Sequence, residues 1–214
     1  MNIANDWKDY EILDMANGEK LERWKDVILA RPDPQIIWKE KSFPDKWKRI
    51  NARYHRSKTG GGSWEYNKKM PESWQIKYKN LTFNIKPMGF KHTGLFPEQA
   101  VNWDWMIDKI RNEKRDIKVL NLFAYTGGAT VACASAGASV CHVDSSKGMV
   151  AWAKDNIASS GLEKRPVRYI VFKLPYFSVM LLFHMMVDPL LLHHIYFLFL
   201  FLYLQISLHH QLCI

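Results

Sequence analysis

The chain has 214 residues, 48% of them apolar, enough for one large or two small domains with a packed core. A formal net charge of +9 points to an anionic partner, either nucleic acid or a membrane surface. Three cysteines, Cys133, Cys141 and Cys213, without CxxC spacing exclude a disulfide framework and a cysteine zinc centre, so no metal site is predicted.

Residues 1–10 carry charges of both signs and no apolar h-region, so no signal peptide and a cytoplasmic location are expected. Residues 1–35 form a first, helical or extended segment, with Leu13, Leu21, Trp24 and residues 27–29 at loose helical spacing and Arg31-Pro32-Asp33-Pro34 ending it. Residues 36–95 read as a small β-rich module. Its short strand-like runs are 35–39, 49–55, 63–66, 74–78 and 81–86, separated by turn signals at 43–45, 59–62, 70–71 and 80. The densest basic run, "KWKRINARYHRSK", supplies Lys46, Lys48, Arg49, Arg53, Arg56 and Lys58, interleaved with Trp47, Tyr54 and His55. Such cations neutralise phosphates, and such rings stack on splayed bases. The same run also reads as a solvated strand face.

Pro97 opens a helix predicted to run to residue 113, with Ala100, Trp103, Met106, Ile107 and Ile110 as its apolar stripe. Residues 96–171 then alternate in period. Residues 117–123 read as a buried strand and 129–136 as a helix of small residues closed by Gly137. A strand follows over 139–143, a helix over 147–160 closed by Gly161, and a third strand over 167–171. This alternation gives βαβ units, a parallel sheet, and hence an α/β fold.

A parallel sheet binds ligands beyond the carboxyl ends of its strands, where "NLFAYTGGAT" turns and where Asp144 ends the second strand. An acid about 20 residues past a glycine turn is placed for ribose hydroxyls. Small residues at 127–129 would let a nucleoside cofactor lie against bare backbone. Adjacent Gly127 and Gly128, with no GxGxxG, suit S-adenosylmethionine (SAM), which has no pyrophosphate, better than the nicotinamide cofactor of an oxidoreductase.

The segments "VLNLFAYTGGATVACASAGASVCHVDSSKGMVAWAKDN", "FKHTGLFPEQAVNW", "RYHRSKTGGGSWEY" and "GEKLERW" resemble SAM-dependent methyltransferases of the bacterial large-subunit ribosomal-RNA, cytosine-C5 type, over about residues 6–171. The resemblance implies a Rossmann-like fold, incomplete after its third strand, and methyl transfer to RNA. It also implies that Phe123, Ala124, Tyr125, Thr126 and Gly127 line the methionine and ribose side of SAM. Asp144 would bind the ribose hydroxyls, Ser145 and Ser146 would lie near the adenine, and Gln99 at the pocket's edge.

The resemblance stops at residue 172. The pattern calls for an acid at the adenine amine, where this chain has Phe172, and for a later Asp-Pro-Pro-aromatic loop. The nearest match, "VDPLL" at 187–191, lacks the second proline and the aromatic. Beyond 172 only Lys173 and Asp188 carry charge. Two readings of this apolar tail stand. Residues 174–208 could associate with a membrane, in a non-catalytic RNA- or cofactor-binding protein. Alternatively, the tail is sequence foreign to the family, written by a frameshift or unspliced segment, on a chain that transfers no methyl group. No catalytic residue is assigned.

Overall fold

The computed structural model describes residues 4–58 and 60–172. The membrane-length segment 174–208, the "VDPLL" sequence and the rest of the apolar tail lie outside the described residues, as does Cys213. Among the described residues no helix is long and apolar enough to cross a membrane. The chain divides into two compact units, Met1–Val101 and Asn102–Ile214.

In the first unit the segment read as helical or extended is extended. Residues 10–32 form three antiparallel strands, β1 (Tyr10–Ala16), β2 (Glu19–Trp24) and β3 (Val27–Pro32). Asn17 and Gly18 both take positive φ, 54° and 72°, the two-residue hairpin turn that an Asn-Gly pair favours. Lys25, with φ 60°, turns the chain between β2 and β3. Period-2 geometry then sends Leu21 to one face, where it packs with Ala16, Ala30, Trp47 and Ile50, and Glu22 with Trp24 to the other. The predicted run 35–39 is no strand, although the Ile36 and Trp38 carbonyls accept from Gly18 N and Asn17 N at the hairpin tip.

A single-turn helix, α1 (Pro44–Trp47), precedes β4 (Ala52–Arg56) and β5 (Gly62–Tyr66). These strands complete a sheet of order β1-β2-β3-β4-β5, in which β4 joins β3 in parallel through only two register pairs. A separate hairpin, β6 (Trp74–Tyr78) and β7 (Leu81–Ile85), falls where turn residues predict it.

Face β2–β3 holds a buried ion pair. Glu22 is fully buried, and its two oxygens accept from Arg31 Nε at 2.6 Å and Arg31 Nη2 at 2.8 Å. Tyr10 Oη donates to the same carboxylate at 2.7 Å, Arg31 Nη1 donates to the Lys91 carbonyl at 2.9 Å, and the guanidinium lies 5.3 Å from the Trp24 ring centre. Burial by itself would raise the Glu22 carboxyl. The adjacent Arg31 charge overcomes it and holds that carboxyl below the usual carboxylate range.

In the second unit the βα alternation is as read from the sequence. A 3₁₀ turn at the end of the first unit, Pro97–Gln99, leads into α2 (Ala100–Asn112), most of which lies in the second. Of its stripe, Ala100, Trp103, Met106 and Ile107 are buried. Strands β8 (Lys118–Leu122), β9 (Ser139–Asp144) and β10 (Val167–Val171) are all parallel, in order β10-β9-β8. Helix α3 (Gly128–Ser135) connects β8 to β9, and α4 (Lys147–Ser159) connects β9 to β10. Ser, Ala and Gly make α3 narrow, and Thr130, Val131, Ala132, Cys133 and Ala134 are all buried.

Candidate functional site

The turn from β8 into α3 lies at the carboxyl ends of the strands. Its backbone is unusual: Phe123 and Tyr125 hold φ at 51° and 52°, and Gly127 holds 82°. A left-handed aromatic residue persists only where the surroundings over-determine it, and such residues cluster at ligand-binding sites. Three contacts fix this turn. Tyr125 N donates to Asp144 Oδ2 at 2.8 Å, Asn156 Nδ2 donates to the Thr126 carbonyl at 2.8 Å, and Ala124 N donates to the Val143 carbonyl at 3.0 Å.

The glycines of the turn have a cause beyond the one expected. A Cβ on Gly127 would lie 2.9 Å from Ala153 Cβ in α4, and one on Gly128 would lie 2.9 Å from the Trp103 ring in α2. Both glycines admit protein neighbours at close range on their side-chain side, so close packing against α4 and α2 also requires glycine here. Of the turn residues, Phe123 is exposed and Tyr125 half-buried, whereas Ala124, Thr126 and Gly127 are buried.

Asp144 ends β9 half-buried. Its Oδ2 accepts from Tyr125 N, and its Oδ1 accepts from Ser146 N at 2.9 Å. A carboxylate offers about four acceptor positions, so each oxygen keeps one for a further donor. A fixed, anionic, twofold acceptor at a strand's carboxyl end matches the two hydroxyls of a ribose. Ser146 itself caps α4, its Oγ accepting from Met149 N at 3.4 Å, and Ser145 is exposed. Gln99 belongs to the first unit, in the 3₁₀ turn, half-buried. Phe172 N donates to the Asp144 carbonyl at 3.0 Å, which extends the β10–β9 pairing to the position where the resemblance calls for an acid.

A buried polar chain lies beneath the turn, and sequence reasoning missed it. Asn121 Nδ2 donates to Thr130 Oγ1 at 2.9 Å, and Thr130 Oγ1 is 2.9 Å from His142 Nδ1. All three side chains are buried, and His142 Nε2 has no hydrogen-bond partner. Burial lowers the imidazole to about 4, against a smaller opposing pull from Asp144, so the ring is neutral at neutral pH. The thiols are equally quiet: burial pushes Cys133 up to about 12 and also raises Cys141. A cavity of about 410 Å³ opens at the opposite, amino-terminal end of the strands, lined by Lys118, Ser139, Cys141 and Arg168 among others. It is therefore separate from the turn.

The basic run of the first unit divides in two. Lys48 pairs with Asp45 at 2.7 Å, Arg53 with Glu19 at 3.7 Å, and Lys46 lies 4.2 Å over the Phe43 ring. Arg49, Arg56 and Lys58 are exposed and, among the described residues, have no acidic partner. The interleaved aromatics are not the stacking platform expected of them. Trp47 and Tyr54 are buried, Trp47 donating from Nε1 to Asp14 at 2.8 Å and Tyr54 packing 5.3 Å from the Trp64 ring. His55 is exposed but paired with Glu65.

Known proteins resemble this chain in sequence and in fold. A family model described as S-adenosylmethionine-dependent methyltransferase matches residues 46–180, a short way into the apolar tail. The ribosomal RNA large subunit methyltransferase K/L of Shewanella baltica is 38% identical over 149 residues, 69% of this chain and 19% of the relative. That of Shewanella frigidimarina is 33% identical over 141 residues, 65% of this chain and 18% of the relative. The chain thus spans about a fifth of the length of these relatives. The crystal structure of a SAM-dependent methyltransferase from Agrobacterium tumefaciens superposes with a TM-score of 0.73 at 38% identity, covering 77% of this chain and 53% of that one. A methyltransferase structure from Streptococcus mutans, at TM-score 0.62 and 20% identity, covers 84% of this chain and 50% of its own and shares the fold.

Proposed function

We propose, since the chain belongs to the S-adenosylmethionine-dependent methyltransferase family, that its second unit holds SAM at the turn 123–127 and Asp144, in the service of methyl transfer to ribosomal RNA. When bound, this cofactor supplies an activated methyl group. Asp144 would take the ribose hydroxyls on its two remaining acceptor positions, Phe123 and Tyr125 would form the accessible wall of the turn, and Ser145 would lie near the adenine. Membership of this family sets aside the oxidoreductase reading. Phe172 stands where the resemblance calls for an acid, so no residue is assigned here to the adenine amine.

The observation that carries the reading is the pair of backbone N–H bonds that aim the Asp144 carboxylate. Titration calorimetry tests it. Asp144→Asn keeps one acceptor oxygen and the side-chain size, and should weaken SAM by about 1–3 kcal/mol, the cost of stranding a buried partner. Equal affinity in the two proteins, with matching melting curves, would remove Asp144 from the site. A parent chain without measurable affinity would overturn the cofactor reading itself.

The names of the Shewanella relatives and the free cations of the first unit support RNA as the partner. The three unpaired cations, Arg49, Arg56 and Lys58, should carry the phosphate contacts, each adding about 0.7–0.9 to the slope of log affinity against log salt. Replacing all three by Gln should flatten that slope by about two units on a ribosomal-RNA fragment. Replacing Lys48 and Arg53, already paired, should leave it nearly unchanged. If the two variants flatten the slope equally, the division of the run is wrong.

A further inference from the structure

We propose that Asn121, Thr130 and His142 act as a hydrogen-bonded spacer that sets the shape of the cofactor turn, with His142 as a positioning residue carrying its proton on Nε2. This deepens, and rests on, the reading of the turn as the SAM site.

The three residues come from three different elements that converge beneath one loop. Asn121 is on β8, the strand that feeds the turn. Thr130 is in the first turn of α3, the helix that the turn feeds. His142 is on β9, two residues before Asp144. Asn121 and His142 are register partners across β8 and β9, so the chain ties the two ends of the loop to the strand that carries the acid.

Its polarity follows from counting hydrogens. The Asn121 amide can only donate to Thr130 Oγ1 from Nδ2, at 2.9 Å. The Thr130 oxygen could accept a second time, but its own hydrogen has no other acceptor among the described contacts, which assigns it to His142 Nδ1 at 2.9 Å. Nδ1 is then an acceptor, and the imidazole proton sits on Nε2. Nε2 itself finds no partner, although the residue is fully buried. A neutral buried donor left in this state is uncommon and calls for a reason.

The ring edge provides that reason. His142 Cε1, bonded to both ring nitrogens, comes within 3.5 Å of the point where a Cβ on Gly127 would stand. The imidazole thus fills the space under the left-handed Gly127 while Nδ1 holds α3 in place. Protonation would put a hydrogen on Nδ1 against the hydroxyl hydrogen of Thr130, which agrees with the low basicity of the ring. Among the described residues Asp144 is the charged group that acts on this imidazole, and Tyr169, with its ring centre 5.6 Å away, covers the β10 side.

The test uses the whole chain and two variants. Thr130→Val removes the hydroxyl at nearly constant shape, and Thr130→Ser keeps it. In Thr130→Val, amide hydrogen exchange at Tyr125 and Gly127 should quicken about tenfold while the α4 amides hold their rates, and S-adenosylhomocysteine affinity should fall about tenfold. Thr130→Ser should restore both. Long-range ¹H–¹⁵N spectra of histidine-labelled parent protein should show the Nε2–H tautomer for His142. Unchanged exchange at Tyr125 and Gly127, an equal rise across α4, or the Nδ1–H tautomer would each overturn the proposal. Faster exchange at the turn in a parent chain that binds no S-adenosylhomocysteine would support the spacer and refute only the cofactor reading.

Discussion

Glu22→Gln should cost the chain about 3–5 kcal/mol of stability, because it leaves the Arg31 guanidinium charged and buried without the carboxylate that pairs with it, Glu98 acting on it only more weakly. Glu22 is fully buried and Arg31 is 5% exposed, so water cannot take the carboxylate's place. The remaining partners, the Lys91 carbonyl and the Trp24 ring, are neutral. Tyr10 Oη also loses its anionic acceptor. Against a typical domain stability of about 5–15 kcal/mol, the loss is a large fraction. Urea titration followed by far-ultraviolet circular dichroism would measure it. Pairing the change with Arg31→Met should recover much of the loss, since an apolar pair desolvates cheaply. A Glu22→Gln protein within about 1 kcal/mol of its parent would show that Arg31 finds water or another anion.

Gly127→Ala should cost about 2–5 kcal/mol, from two sources that separate experimentally. The first is backbone strain, because φ of 82° is a left-handed conformation that costs an ordinary residue about 1–2 kcal/mol. The second is overpacking, because the new Cβ would lie 2.9 Å from Ala153 Cβ, and forcing such a contact costs about 1–3 kcal/mol. Gly161 serves as the control. Its φ is 68°, but a Cβ there meets nothing within 4 Å, so Gly161→Ala carries the backbone cost alone. Thermal melts of both variants should place Gly127→Ala well below Gly161→Ala, and Ala153→Gly should narrow the gap. Equal melting temperatures for the two variants would mean that the contact with α4 yields without cost.

That comparison also shows where sequence reasoning reached and where it failed. Gly127 and Gly128 are conspicuous in the sequence, but the atoms that require them belong to Ala153 and Trp103, each about 25 residues away. Only the folded chain reveals such neighbours, so this packing reason for glycine could not be read from the sequence. The βα alternation was legible because Gly137 and Gly161 punctuate strong apolar runs, and Asp144 was legible because its strand ends on it. The N-terminal strands were obscured by charge: Glu11, Asp14, Glu19, Lys20, Glu22 and Arg23 break the apolar alternation, and two of these acids are buried against partners. The Asn17-Gly18 pair, read as a hairpin turn, would have decided for the extended alternative. Trp47 and Tyr54 stood among cations and looked exposed, yet their period within α1 and β4 turns them inward. His142 and Thr130 gave no signal, since a lone polar residue in an apolar run has no partner visible along the chain.

The two backbone N–H groups held by Asp144 link the strength of the fold to the solution around it. The carboxylate that would receive a ribose also holds Tyr125 and Ser146, one on each of the loops that β8 and β9 send out. Under the proposed reading, a nucleoside on Asp144 binds only where those loops are already closed, so by mass action it closes them. Ligand at one hundred times its dissociation constant would add about 2.7 kcal/mol to folding, comparable with the cost of the Gly127 substitution. The chain's resistance to heat or proteolysis would then follow the local supply of cofactor, and a destabilised variant would behave as a conditional one, folded where the cofactor is plentiful and lost where it is scarce.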